Sequence, residues 1–168
     1  MRQMILNPGD LAPDFSLPDA AGNFVHLADF LGQSIILYFY PRDNTPGCIK
    51  EACGFRDIYS DYESRNILVL GVSTDSPQSH GKFAVKYQLP FPLLCDLDAK
   101  VSTAYGCYGL KKFMGKEFMG INRTTFAIAP DGRINKVYRK VKPQFHAVEI
   151  LADLTEISPE LKVQTLEQ

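Results

Sequence analysis

Apolar residues in this chain follow two kinds of pattern: continuous runs, and repeats at helical spacing. The continuous runs predict strands buried on both faces at 34–40, 67–73 and 124–129, with a shorter extended segment at 91–94. The helical repeats predict amphipathic helices at 47–63, 77–88 and 145–157, with a short helix at 98–105. Strands that alternate with helices along the chain are typical of an α/β fold.

The segments between these elements carry most of the turn-forming residues. Residues 1–32 are rich in Pro, Gly and Asp, and a turn at 20–23 between two short apolar pieces predicts a small N-terminal hairpin. A turn at 130–132 predicts an antiparallel strand over 133–141. The stretch 106–122, rich in Gly, Lys and aromatic residues, is interpreted as an irregular loop, and the last ten residues as frayed.

The order of these elements predicts one domain over residues 1–168, with its core at about 7–157. Early alternation of strands and helices, followed by a late hairpin, implies a mixed central sheet flanked by helices. The chain has no internal repeat, low-complexity tract or shift in composition that divides it, and 168 residues are enough to bury a core.

Composition narrows the classes of function. With 18 basic and 19 acidic residues the net charge is -1, which gives no reason to expect a nucleic acid or a membrane as partner. No apolar run approaches the ~20 residues that span a bilayer, and the N-terminus lacks the apolar stretch of a secretory signal, so we expect a cytoplasmic protein. The four cysteines and three histidines stand at no metal-ligand spacing, so we expect no metal and no cofactor.

Candidate chemistry is concentrated where the apolar run 34–40 ends. A proline, Pro41, ends the run, a short loop follows, and Cys48 stands where the next helix is expected to begin. Backbone N–H groups and the helix dipole at that position favour the thiolate, which is the nucleophilic form of cysteine. The arrangement indicates cysteine redox chemistry.

Pro41, Thr45 and Cys48 stand in the pattern P-x-x-x-T-x-x-C. This pattern and the residues around it resemble those of peroxiredoxins, and among these the bacterioferritin-comigratory-protein branch, also called peroxiredoxin Q. The similarity runs from about residue 7 to 155, through segments at 9–15, 38–41, 45–48, 51–53, 55–57, 71–73, 89–94 and 120–126. The resemblance implies a thioredoxin-like fold with the N-terminal hairpin as an extension.

The resemblance also implies a role for each residue of the site. Cys48 matches the peroxidatic cysteine, whose thiolate attacks hydrogen peroxide or an organic hydroperoxide and becomes a sulfenic acid. Arg123 matches the arginine whose fixed N–H donors face thiolate and peroxide, and Thr45 the residue whose hydroxyl contacts both. Pro41 matches the proline that shields the thiolate from water.

Cys53 follows Cys48 by five positions, where this branch often has its resolving cysteine. The resemblance implies that the resulting disulfide is then reduced by thioredoxin or a similar dithiol protein. Five residues of α-helix place the two Cα atoms roughly 8 to 9 Å apart, whereas a disulfide needs them within about 7 Å. We therefore predict that the first turns of the helix unwind in each cycle, and Gly54, a weak helix former, is expected to ease that opening.

Other assignments remain open for several side chains. Cys53 shares its spacing with apolar residues of the helix, which is also the pattern of a core cysteine. Some members of the branch place the resolving cysteine in a later helix, which makes Cys95 a competitor; otherwise Cys95 and Cys107 are interpreted as structural. Glu51 is interpreted as a solvated helix residue.

Competing functions are separated by the same residues. A disulfide oxidoreductase relies on C-x-x-C, and Cys48 and Cys53 are spaced too widely for that motif. A peroxide-responsive redox switch or holdase needs the disulfide but no peroxide pocket, so the complete set of Pro41, Thr45, Cys48 and Arg123 favours an enzyme. Members of the branch tend to be monomers, and we expect the same here.

Overall fold

The computed structural model of the chain describes residues 5–157. Its strands are β1 (Ser16–Pro18), β2 (Phe24–His26), β3 (Ser34–Phe39), β4 (Ile67–Ser73), β5 (Leu93–Cys95), β6 (Tyr108–Phe113), β7 (Lys116–Ile121), β8 (Thr124–Ile128) and β9 (Ile134–Tyr138). Its helices are α1 (Pro46–Asp57), α2 (Tyr59–Ser64), α3 (Pro77–Tyr87), α4 (Lys100–Ala104) and α5 (His146–Ile157), with a 3-10 turn at Leu27–Phe30. The prediction for the last ten residues lies outside the described part of the chain.

A mixed five-stranded sheet forms the centre, in the order β5-β4-β3-β8-β9. β3 pairs in parallel with β4, and β4 with β5, whereas β8 is antiparallel to both β3 and β9. The side chains of β3 from Ile35 onward are almost fully buried because neighbours cover both faces of this central strand. The predicted thioredoxin-like α/β fold is confirmed, and so is the N-terminal hairpin, in which β1 pairs with β2.

Two apolar clusters cover the two faces of this sheet. Successive side chains of β3 point to opposite faces, so Tyr38 joins one cluster and Phe39 the other. The Tyr38 cluster includes buried residues of α1, α2, α3 and α5, and the Phe39 cluster includes residues of the N-terminal hairpin. No helix within the described residues is long and apolar enough to cross a membrane.

Two predicted elements were wrong. The helix expected over 47–63 is divided into α1 and α2 at Ile58, whose backbone leaves the helical region (φ -119°, ψ 22°). The loop expected over 106–122 contains the antiparallel hairpin of β6 and β7. Its turn residues Met114 and Gly115 both have positive φ, as a tight hairpin turn requires, but Met-Gly is not a typical turn sequence. Most of the large apolar side chains of this hairpin are exposed, with Ile121 at its end buried, so no buried-face pattern marks its strands.

The fold brings two distant segments together at one end of β3. The loop 41–45 leaves β3 and leads directly into α1, which carries Cys48. β8 pairs with β3 so that Thr124 lies opposite Phe39, and Arg123 immediately precedes it. The antiparallel register therefore places Arg123 beside the beginning of α1.

Candidate active site

Cys48 lies in the first turn of α1 and is 1% exposed. Thr45 is the N-cap residue and Pro46 the first helical residue, where the missing N–H and fixed φ of proline suit a helix start. The Nη2 atom of Arg123 donates to Cys48 Sγ at 3.4 Å. A helix N-terminus and a guanidinium thus meet at the same sulfur, and both stabilise negative charge there.

Arg123 connects Cys48 to a second residue of α1. Its Nη1 atom donates to Glu51 Oε1 at 2.6 Å, while Nη2 reaches Cys48. Residues three apart share one face of a helix, so the planar guanidinium contacts both side chains without changing its orientation. The arginine is 19% exposed in this position.

Glu51 is fully buried, and the interpretation of Glu51 as a solvated residue was wrong. Burial raises its pKa to about 7, and the neighbouring Arg123 opposes this rise. No local pattern predicts this burial, because the cation that pairs with Glu51 lies 72 positions further along the chain.

His146, the first residue of α5, lies on the other side of Glu51. Its Nε2 atom is 2.7 Å from Thr125 Oγ1 and 3.9 Å from Glu51 Oε2. Burial lowers the pKa of His146 to about 4, with Arg123 acting in the same direction, so the ring is neutral at pH 7. Among the described residues, Glu51 Oε2 and His146 Nδ1 have no hydrogen-bond partner. We call Cys48, Glu51, Arg123 and His146 the arginine cluster.

Thr45 and Pro41 lie in the loop that precedes α1. The Thr45 hydroxyl donates to the carbonyl oxygen of Arg42 at 2.9 Å, and within the described residues it makes no capping bond to α1. Pro41 lies at the edge of a groove of about 570 Å³. The groove is also lined by Arg42, Tyr108, Phe118, Met119 and Ile121. The volume of this groove is large enough for a small organic molecule beside the loop.

Cys53 is half-buried in α1, and one uninterrupted helix contains both it and Cys48. Burial raises the pKa of the Cys53 thiol. The two thiols are free, as expected while the helix is intact.

The other two cysteines lie within the folded core. Cys95 ends β5, is 2% exposed, and has its pKa raised to about 11, mainly by burial. Cys107 donates from its thiol to the carbonyl oxygen of Ser102 at 3.4 Å, and burial raises its pKa further still. Their surroundings are those of structural thiols.

Comparisons with known proteins agree with this geometry. The family model described as AhpC/TSA matches residues 8–137. The chain is 46% identical to peroxiredoxin Bcp of Bacillus subtilis over 155 residues, covering 92% of this chain and 99% of that protein. It is similar to a cysteine-to-serine mutant of PrxQ from Xylella fastidiosa, with a TM-score of 0.86, 36% identity, and coverage of 91% and 98% of the two chains. A bacterioferritin comigratory protein of Xanthomonas campestris, studied for alkyl peroxide reduction, has a TM-score of 0.80 and 34% identity, with coverage of 84% and 90%.

Proposed function

Because the chain belongs to the AhpC/TSA family and has peroxiredoxins as relatives, we propose that Cys48 reduces hydrogen peroxide and organic hydroperoxides. The contact between Arg123 Nη2 and Cys48 Sγ at the start of α1 carries this proposal. It provides a fixed cationic donor beside a buried nucleophile, where developing negative charge is stabilised without reorganisation.

The first half of the cycle is a displacement at oxygen. The Cys48 thiolate attacks one peroxide oxygen, an S–O bond forms, and the O–O bond breaks. Cys48 becomes a sulfenic acid, and the leaving oxygen takes a proton to give water or an alcohol. Arg123 faces the sulfur. In this proposal Pro41 and Thr45, from the loop that leads into α1, border the bound peroxide.

The second half requires α1 to open. In this proposal the Cys53 thiol attacks the Cys48 sulfenic acid, so that a disulfide forms and water leaves. An external dithiol, thioredoxin or a similar protein, then reduces the disulfide and becomes oxidised itself. The alkyl peroxide activity studied in the Xanthomonas campestris relative supports organic hydroperoxides as substrates. We expect the enzyme to act as a cytoplasmic monomer.

The test is peroxide consumption with thioredoxin, thioredoxin reductase and NADPH. We expect turnover in the parent, none in Cys48→Ser, and in Cys53→Ser a single round of peroxide reduction without turnover. Cys95→Ser is the matched control, because Cys95 competes for the resolving role, and it should turn over normally. Turnover that is lost in Cys95→Ser and kept in Cys53→Ser would contradict the assignment of Cys53. A parent that forms the disulfide without turning over would support a redox switch instead.

A further inference from the structure

A second buried polar cluster lies on the other side of loop 41–45. It consists of Tyr40, Asp43, Asp75, Ser79 and His80, and we call it the aspartate cluster. Asp43 is the middle residue of the loop, between the proline and the threonine of the peroxiredoxin pattern. Its side chain is 3% exposed, so the loop is attached to the core at its centre.

Asp43 is held through both its side chain and its backbone. The Tyr40 hydroxyl donates to Oδ1 at 2.6 Å, and the Ser79 hydroxyl donates to Oδ2 at 2.8 Å. His80 Nδ1 lies 2.7 Å from the same Oδ2 atom, and the backbone N–H of Asp43 donates to Asp75 Oδ2 at 2.8 Å. These partners come from the end of β3, from α3, and from the segment between β4 and α3, so three parts of the fold converge on one loop residue.

Both ring nitrogens of His80 face groups that only accept hydrogen bonds. Nδ1 faces the Asp43 carboxylate, and Nε2 lies 2.9 Å from the carbonyl oxygen of Leu94. Both ring nitrogens are therefore engaged within the protein, which fixes the buried ring between the loop and β5. Asp43, Asp75 and His80 are close enough to hold a metal ion, but both ring nitrogens of His80 already have partners within the protein.

Resting on the proposed peroxidase chemistry, we propose that Asp43 and His80 are positioning residues, whose buried hydrogen-bonded pair holds loop 41–45 in place before α1 for the peroxide step. Four residues separate Asp43 from Cys48, and neither Asp43 nor His80 belongs to the arginine cluster. Peroxide reduction requires the two oxygens in line with Sγ, and a displacement of about 1 Å can cost on the order of 100-fold in rate. Alkylation of the same sulfur by iodoacetamide places no such demand on the loop.

The test compares these two reactions of Cys48 in the reduced full-length protein. In Asp43→Asn and His80→Gln, we expect the rate constant for oxidation by hydrogen peroxide to fall at least about tenfold. The rate of alkylation by iodoacetamide should stay within about threefold of the parent. Because the pair acts as one unit, the double variant should be no slower than the slower single variant. Ser79→Ala removes one of three side-chain donors to Asp43. If the other variants unfold, this milder variant replaces them, and we expect a smaller fall in the rate of peroxide oxidation with the alkylation rate unchanged.

Asp153→Asn is the matched control. Asp153 also accepts from a tyrosine and a cation, Tyr138 and Lys136, both at 2.7 Å, but these three residues lie on β9 and α5. The Asp153→Asn variant should leave both rates unchanged while it lowers the melting temperature by a similar amount. A parallel fall of both rates, or no fall in either, would overturn the positioning role. A parent that does not react with peroxide would instead contradict the proposed function.

Discussion

The two buried clusters beside Cys48 differ in how completely their polar atoms are hydrogen-bonded. In the aspartate cluster, both carboxylate oxygens of Asp43 and both ring nitrogens of His80 have partners at 2.6 to 2.9 Å. In the arginine cluster, Glu51 Oε2 and His146 Nδ1 have no partner within the described residues. Asp43, His80, Glu51 and His146 are all buried, so the difference between their polar atoms does not come from access to water.

If the site opens as proposed for disulfide formation, this difference favours the side of the arginine cluster. A buried polar atom without a partner costs about 1–3 kcal/mol, and that cost falls on the intact form of α1, because opening exposes these atoms to water. The polar atoms of Asp43 and His80 already have partners, so opening would bring the aspartate cluster no such gain. We therefore expect α3 and loop 41–45 to stay in place. We infer that the arginine cluster belongs to a helix, α1, that unwinds. The aspartate cluster holds loop 41–45 and α3, which stay folded.

The largest expected effect comes from breaking the arginine cluster at Arg123. Arg123→Lys keeps a positive charge but loses the fork that contacts Cys48 and Glu51 together. We expect the rate constant for Cys48 oxidation by hydrogen peroxide to fall about 100-fold, as for loss of a preorganised donor. Competition with a second peroxidase for limiting peroxide measures this constant. Arg133→Lys is the control, because that side chain donates to the Gly9 carbonyl away from the site. A loss below about threefold in Arg123→Lys would contradict the role of the fork.

The next largest effect is the pH dependence of the free energy of unfolding that Glu51 of the arginine cluster should cause. The pKa of Glu51 is raised from 4.5 to about 7 in the folded protein, so its contribution to stability is fully present below pH 4.5 and is lost as pH rises through 7. The change is on the order of 3 kcal/mol. Relative to the parent, Glu51→Gln should therefore gain free energy of unfolding as pH rises from 5 to 8. Urea unfolding of both proteins across this range measures the difference.

His146 should change the free energy of unfolding with pH in the opposite direction to Glu51. Its pKa is lowered from 6.5 to about 4, so its contribution is fully present above pH 6.5 and is lost as pH falls through 4. Relative to the parent, His146→Gln should gain stability on acidification. Parallel slopes in the Glu51 and His146 variants would show that these two groups do not titrate as their burial indicates.

Much of the fold followed from sequence because local pattern and tertiary environment agree. The apolar run at 34–40 is buried on both faces as β3, and the stretch before Cys48 carries a proline and a loop that end one element and begin the next. The peroxiredoxin pattern marked Cys48, Thr45 and Pro41 together as candidate site residues. Their spacing is local, so one segment of sequence contains the whole signal.

The parts that sequence analysis missed depend on partners far along the chain. A glutamate in a helix, such as Glu51, is usually solvated, and only the contact with Arg123 explains its burial. Asp43 and His80 are 37 positions apart, and no periodicity connects them. The β6–β7 hairpin was missed for a different reason, because its strands expose Phe113 and Met119 instead of burying one regular face.

A smaller effect is expected at Gly47, which lies under the guanidinium. An added Cβ there would be 2.9 Å from Arg123 Nη2, and the end of a flexible side chain can move away at little cost to the fold. Gly47→Ala should therefore slow peroxide reduction by about tenfold while the melting temperature changes little. In an Arg123→Lys background, the same substitution should cost much less, because the contact is already lost. An equal loss in both backgrounds would mean that Gly47 acts independently of Arg123.

The smallest effect tests which helix opens. At Gly54 in α1, an added Cβ would be 3.8 Å from Ala147 Cβ and 3.9 Å from the Pro143 carbonyl, an ordinary contact distance. Gly54→Ala should stabilise the intact helix by about 1 kcal/mol, which corresponds to about fivefold slower disulfide formation and more over-oxidation of Cys48. Gly81→Ala in α3, where an added Cβ meets no heavy atom within 4 Å in the described chain, gives a similar helix gain in an element expected to stay closed. Rapid-quench mass spectrometry after one equivalent of peroxide separates sulfenic acid, disulfide and sulfinic acid in both variants. If Gly81→Ala slows disulfide formation as much as Gly54→Ala, then opening is not confined to α1, and the contrast between the two clusters fails.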